Sequence, residues 1–198
     1  GDTGELRYKL SDADAPLAAG RLEVAVKQLD DDLGNGDAFI TLFNSETKNS
    51  GSILDFRIKD DSFGVRYPSS TDTSSLPLAL DTWMNVVVTW EYPGGDTAVA
   101  PAVIIEIDGV ALEAITPDNS PFGGVTHVSF RFGDNGGVRE ATGIFSVDDL
   151  AIYSDTDGST AVFEDDFESY LEGDSLDTDN AASPYNSSTS EATVGVEE

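Results

Sequence analysis

The chain has 198 residues, enough for one all-β domain or two small ones with a real core. Its 38 acidic residues against 10 basic ones give a formal charge of −28, a field that repels phosphate and argues against nucleic acid as a partner. There is no cysteine for disulfide or thiolate chemistry, and no apolar run approaches the length of a membrane span.

Taken in chain order, period-two alternation dominates. Leu6, Tyr8 and Leu10 alternate with Glu5, Arg7 and Lys9, and Leu22, Val24 and Val26 with Arg21, Glu23, Ala25 and Lys27. Phe39 to Phe43 (FITLF) reads as a more buried strand. Leu54 to Lys59 and Phe63 to Tyr67 form an expected hairpin about Asp60-Asp61-Ser62. Trp83 to Trp90 (WMNVVVTW) and Ala102 to Ile107 (AVIIEI) are β-branched and read as central strands. Asp108-Gly109 is a two-residue hairpin signal, because glycine tolerates positive φ. Val128, Phe130 and Phe132 alternate with Ser129 and Arg131, and Gly143 to Tyr153 and Val162 to Tyr170 follow as strands. By composition Asp174 to Ser190 reads as a linker, and Ala192 to Val196 as a further edge strand. The spacing of turn residues fits an all-β, two-sheet antiparallel β-sandwich over residues 1–198, with 162–198 contributing terminal strands.

Two sets of residues stand out against this scaffold. Arg7, Lys9, Arg57, Lys59, Arg66 and Arg131 all fall on strand positions opposite the core-facing residues. If their strands share one sheet, they form a basic groove in an acidic molecule, and guanidinium forks suit carboxylate or sulfate. The plainer alternative is cross-strand ion pairing with Glu5, Glu23 or Asp55. The second set is acidic. Asp30 and Asp32, Asp155 and Asp157, and the convergence of Asp148 and Asp149 with Asp165, Asp166 and Glu168 each offer oxygen ligands for structural calcium. The lone histidine, His127 in VTHVSF, reads as an ordinary strand residue.

The Trp-led strand WMNVVVTW, the IEIDG hairpin and the segment VDDLAIY resemble the laminin G and concanavalin A-like jelly rolls. DDFESY looks like the strand that often opens such modules in secreted bacterial polysaccharide-degrading enzymes. The resemblance implies a jelly-roll fold that hosts lectins, carbohydrate-binding modules, lyases and hydrolases alike. Glu106 and Asp108 resemble the paired carboxylates of jelly-roll glycosidases, but Val110 stands where a further Glu is required and Asp108 is already used in a turn. Gly4-Glu5-Leu6-Arg7 resembles the S-E-L-R strand of jelly-roll alginate lyases. Their Q-x-H and Y-F-K-A-G motifs are missing, since Gln28 lies far from His127.

The expectation from sequence is therefore a non-catalytic carbohydrate-binding module with structural calcium, recognising an anionic, alginate-like polysaccharide on a basic concave face. The opening GDTGELRY is no signal peptide, so the chain reads as a piece of a longer secreted protein fused to further domains, with no membrane partner. The alternatives are a jelly-roll polysaccharide lyase with a Tyr- or His-based site and a domain of a large calcium-dependent bacterial adhesin.

Overall fold

A computed structural model describes residues 3–10, 15–28, 36–44, 52–58, 62–66, 71–77, 81–92, 102–112, 123–134, 145–174, 176 and 184–186. Alternation along the strands resolves into two antiparallel sheets. The strands are β1 (Thr3–Lys9), β2 (Ala19–Gln28), β3 (Gly36–Phe43), β4 (Ser52–Ile58), β5 (Ser62–Arg66), β6 (Thr71–Pro77), β7 (Met84–Glu91), β8 (Ala102–Ile107), β9 (Val110–Ala111), β10 (His127–Asp134), β11 (Phe145–Tyr153), β12 (Ala161–Asp165) and β13 (Tyr185–Asn186). A seven-stranded sheet runs β13-β1-β10-β3-β4-β5-β6, and a six-stranded sheet runs β12-β11-β2-β7-β8-β9. This is the expected all-β sandwich, in the order of a jelly roll.

The core forms where the apolar half of each alternation meets its counterpart across the sandwich. Leu22, Val24, Val26, Val86, Val88, Ile105 and Ile152 line the six-stranded side. Ile40, Leu42, Leu54, Phe56, Ile58, Val128 and Phe130 line the other. Phe56 and Phe63 stack with ring centroids 5.6 Å apart. The two sheets differ in their outward faces. In β7, Asn85 and Glu91 are exposed, as in an ordinary one-sided sheet, whereas in β4 both alternations are buried from Ile53 to Ile58. Along β4 the seven-stranded sheet is therefore buried on both sides.

Trp90 ties the sheets together. It pairs in register with Gly20 of β2, and its indole N–H donates to the Leu17 carbonyl at 3.0 Å. Leu17 in turn exchanges two backbone hydrogen bonds with Val125, at 2.9 and 3.0 Å, immediately before β10. The Asp108-Gly109 hairpin forms as expected, with both residues at positive φ (50° and 75°). Asp108 Oδ1 accepts the Asn85 backbone N–H at 2.9 Å.

The strand expected over Val162 to Tyr170 ends at Asp165. Asp165 and Asp166 turn their carboxylates onto the N–H groups of Phe167 and Glu168, at 2.8 and 3.2 Å, and Phe167 takes a positive φ of 56°. Those local bonds compete with the ladder and stop it. Within the segment read as a linker, Tyr185–Asn186 forms β13 against Arg7 and Tyr8 of β1. A polar strand that alternation missed, β6 (TDTSSLP), extends the sheet beyond β5. The strand expected over Ala192 to Val196 lies outside the described residues.

Gly20 has no room for a side chain, since an added Cβ would sit 2.2 Å from Trp90 Cζ2. Gly20→Ala is expected to displace the indole and cost about 1–3 kcal/mol, read as a lower urea midpoint with an unchanged slope.

Candidate functional site: the outward face of the seven-stranded sheet

Register places the candidate cations. Glu5 pairs with Arg131, Arg131 with Phe39, Phe39 with Arg57, and Arg57 with Gly64. One step along the strands, Arg7 pairs with Ser129, Ser129 with Thr41, Thr41 with Asp55, and Asp55 with Arg66. In the next row Lys9 pairs with His127 and His127 with Phe43. Directly opposed residues project from the same face. Arg7, Lys9, Arg57 and Arg131 therefore share the outward face, and Arg66 holds a register position on it. Lys59 lies outside the described residues.

This face is charged, yet largely closed to solvent. Lys9 is exposed and Arg131 half-buried, while Glu5, Arg7, Asp55, Arg57, His127 and Ser129 are buried. Buried charges need compensation. Arg7 Nη2 donates to Glu5 Oε1 at 3.0 Å, and Thr41 Oγ1 donates to Asp55 Oδ1 at 2.8 Å. Aromatic faces supply more. Arg7 lies 4.7 Å from the Phe43 ring centroid, and Arg131 and Arg57 lie 4.3 and 5.5 Å from that of Phe39. Cations sharing one face and local ion pairing thus coexist. Among the described side chains, Arg7, Lys9, Arg57 and Arg131 outnumber Glu5 and Asp55 here, although the chain as a whole carries −28.

His127 stands beside Arg7 on this face, and the neighbouring threonine sets its tautomer. Thr126 Oγ1 lies 2.8 Å from His127 Nδ1 and 3.3 Å from the Phe43 carbonyl. Assigned from this network, the single hydroxyl hydrogen goes to the carbonyl, so Nδ1–H donates to Thr126, and in a neutral imidazole Nε2 is the nitrogen without a hydrogen. Sequence reasoning passed over His127 because a histidine flanked by strand residues has no local mark of a site. Its link to Arg7 exists only through β1–β10 pairing.

The acidic set does not assemble. Strands β11 and β12 pair as expected, but the register sets Leu150 opposite Asp165 and Ala151 opposite Glu164. Asp148 and Asp149 therefore do not face Asp165 and Asp166 across the ladder. On the other side of β11 a bulge against β2 falls at Asp149, whose φ is 49°. Asp149, Glu164, Asp165 and Asp166 line an open depression of about 500 Å³, but no three acidic groups among the described residues could hold one metal ion. The carboxylates of Asp165 and Asp166 are engaged in hydrogen bonds. Asp165 Oδ2 accepts both Tyr170 and Tyr185 hydroxyls, at 3.0 and 2.7 Å. Asp155 accepts the backbone N–H and hydroxyl of Ser159, at 2.8 and 3.0 Å, and Asp157 also accepts that N–H, at 3.1 Å. Hydrogen bonding, led by the Thr160 hydroxyl, holds the Asp155 carboxyl well below its ordinary range. Asp155, Asp157, Asp165 and Asp166 thus sit in hydrogen-bonded turns. Asp30 and Asp32 lie outside the described residues.

Aromatic rings able to stack against a neutral sugar are mostly turned inward. Trp90 and Tyr92 are buried, whereas Trp83 is 41% exposed beneath Lys27, whose Nζ lies 5.6 Å from its ring. Tyr67 lies outside the described residues.

Comparison with known proteins bears on the frame of this face. No family model matches the chain, and no curated protein matches it. Solved structures do. A sialidase aligns with a TM-score of 0.55 and 12% identity over 79% of this chain, which spans 14% of that sialidase's length. An endo-β-1,4-glucuronan lyase from the fungus Trichoderma reesei aligns with a TM-score of 0.54 and 12% identity, over 82% of this chain and 78% of that one. At such identity the likeness is one of fold, and the fold is the concanavalin A-like jelly roll. Both structures are enzymes, which corrects the expectation of a chain that is not an enzyme. The frame shared with them does not mark out a binding-only module, and the face carries an imidazole among its guanidinium groups.

Burial, reinforced by the Asp165 hydrogen bond, raises the Tyr170 hydroxyl to about 12 from its ordinary 10.0, and Tyr185 is pushed up more strongly. Because the folded value lies above the unfolded one, this contribution to stability is complete below pH 10 and lost as pH rises towards 12. In an alkaline titration, the tyrosinate absorbance removed by Tyr170→Phe is expected near pH 12. Asp165→Asn should move that ionisation to lower pH.

Proposed function

We propose that the chain is a polysaccharide lyase that acts on an acidic, 1,4-linked polyuronate of alginate or glucuronan type. It would work outside the cell as part of a longer protein. One observation carries this reading: Arg7 and His127 stand on the adjacent strands β1 and β10 and flank Phe43. A guanidinium that neutralises a uronate carboxylate acidifies the neighbouring C5–H, and a histidine with its lone pair on Nε2 is a suitable base for that proton.

In the proposed reaction His127 Nε2 removes the C5 proton. The electron pair forms the C4–C5 double bond as the C4–O bond breaks, and the leaving oxygen takes a proton from the imidazolium. Serving in both steps, His127 needs no second acid, which accommodates the absence of a Y-F-K-A-G segment. Arg57 and Arg131, flanking the Phe39 ring, would hold carboxylates farther along the polymer. The excess of cations on this face supports an anionic substrate and gives no reason to expect a neutral one.

Incubation with alginate and with glucuronan is expected to release unsaturated uronates, read by their ultraviolet absorbance. His127→Ala should lower that rate by about 10²–10⁴-fold while retention on a gel containing the polymer persists. No unsaturated product from either polymer, or an undiminished rate in His127→Ala, overturns the lyase reading.

A further inference from the structure

The outer strands of the two sheets meet along one side of the sandwich. β12 ends the six-stranded sheet, and β13 ends the seven-stranded one outside β1. A ladder of two residues, Tyr185 to Tyr8 and Asn186 to Arg7, is too short to keep a strand in place by itself. A second hold comes from across the rim. Asp165, the last residue of β12, accepts the Tyr185 and Tyr170 hydroxyls on Oδ2, at 2.7 and 3.0 Å, and the Phe167 N–H on Oδ1 at 2.8 Å. Rings complete the joint. Tyr8 of β1 stacks on Phe163 of β12 with centroids 3.8 Å apart. Tyr185 meets Phe163 edge-on at 5.8 Å and stacks on Phe167 at 6.1 Å.

Burial is uneven along this rim. None of residues 161–174 is buried and Pro184 is exposed, whereas Tyr185 is only 2% exposed. Farther in, Leu22, Val24 and Val26 of β2 and Val86 and Val88 of β7 are all buried. Segments with little buried surface open at a lower free energy than the core. One carboxylate joins the pieces of this thin layer, since Asp165 both shapes the turn at Phe167 (φ 56°) and grips Tyr185. Departure of Tyr185 takes a ring from Phe163 and from Phe167, so β12 and the turn loosen with it. We propose that β12, the turn over 166–174 and β13 form one conformational unit, a strap across the rim with Tyr185 as its catch. The strap opens and closes as a whole while the central strands of both sheets stay folded, and the ends of the two sheets gain freedom in a single step. This holds independently of the reaction proposed above.

Native-state hydrogen exchange on the whole chain, read by mass spectrometry, tests the strap. In the wild type, peptides covering 161–170 and 184–186 are expected to lose protection together, with one shared dependence on urea, before those from β2 and β7. Tyr185→Phe keeps the ring and removes the hydroxyl bound to Asp165. It should speed exchange in both strap peptides roughly tenfold, the equivalent of one hydrogen bond to a charged group, and leave β2 and β7 unchanged. Tyr8→Leu, which removes the ring facing Phe163 and Tyr185 from outside the strap, should accelerate the same two peptides together. Acceleration confined to 184–186 in either variant means a fraying end. Equal acceleration in every strand, or loss of the fold, means that the contact belongs to global stability. Each of these outcomes overturns the strap, as does unchanged exchange in Tyr185→Phe.

Discussion

Burial of the outward face at the centre of the seven-stranded sheet, from β1 to β4, is the constraint on which the other features depend. A sheet covered on one side places its polar alternation in water, where ion pairs are screened and contribute little. Here Glu5, Arg7, Asp55 and Arg57 are held in a drier layer, where each charge must be met by another charge, a hydroxyl or an aromatic face. Phe39 and Phe43 fit this requirement. They sit on the outward face, where simple patterning calls for polar residues, and they carry the guanidinium groups of Arg7, Arg57 and Arg131. The same low-dielectric layer that makes these charges costly also strengthens the contacts that compensate them.

Position on that face is set from a distance. The Trp90 indole reaches from the six-stranded sheet to the Leu17 carbonyl, and Leu17 bridges to Val125 just ahead of β10. The Asn44 side chain also donates to the Gly124 carbonyl, at 2.9 Å. The strand bearing His127, Ser129 and Arg131 is thus anchored at its start by contacts from other parts of the sandwich.

Much of the frame was legible because alternation is a strong signal wherever one face is buried. The strands with Leu22-Val24-Val26 and Leu54-Phe56-Ile58, and the Asp108-Gly109 turn, could be read directly. Two pieces escaped for physical reasons. The strand β6 is polar, and β13 is two residues long inside a polar stretch, so neither carries periodicity. The cations were visible as a set because their period could be counted, and pairing then put those of β1, β10 and β4 on one face. At Asp155, Asp165 and Asp166 carboxylates close in sequence turn onto their own backbone, a local bonding that residue type alone does not reveal. His127 gained meaning only from register with β1, a relation between residues more than a hundred positions apart.

The short strand β13 has a role beyond its length. It lies outermost beside β1, and Tyr185 is gripped by Asp165 and packs against Tyr8, Phe163 and Phe167. At Arg7 and Tyr8 it occupies backbone groups of β1 that would otherwise face outward. An uncovered β1 would offer a row of unmet donors and acceptors to any second chain. The tyrosine latch therefore guards the colloidal behaviour of the protein as well as its fold, and it keeps the strand bearing Arg7 from becoming the seam of an aggregate.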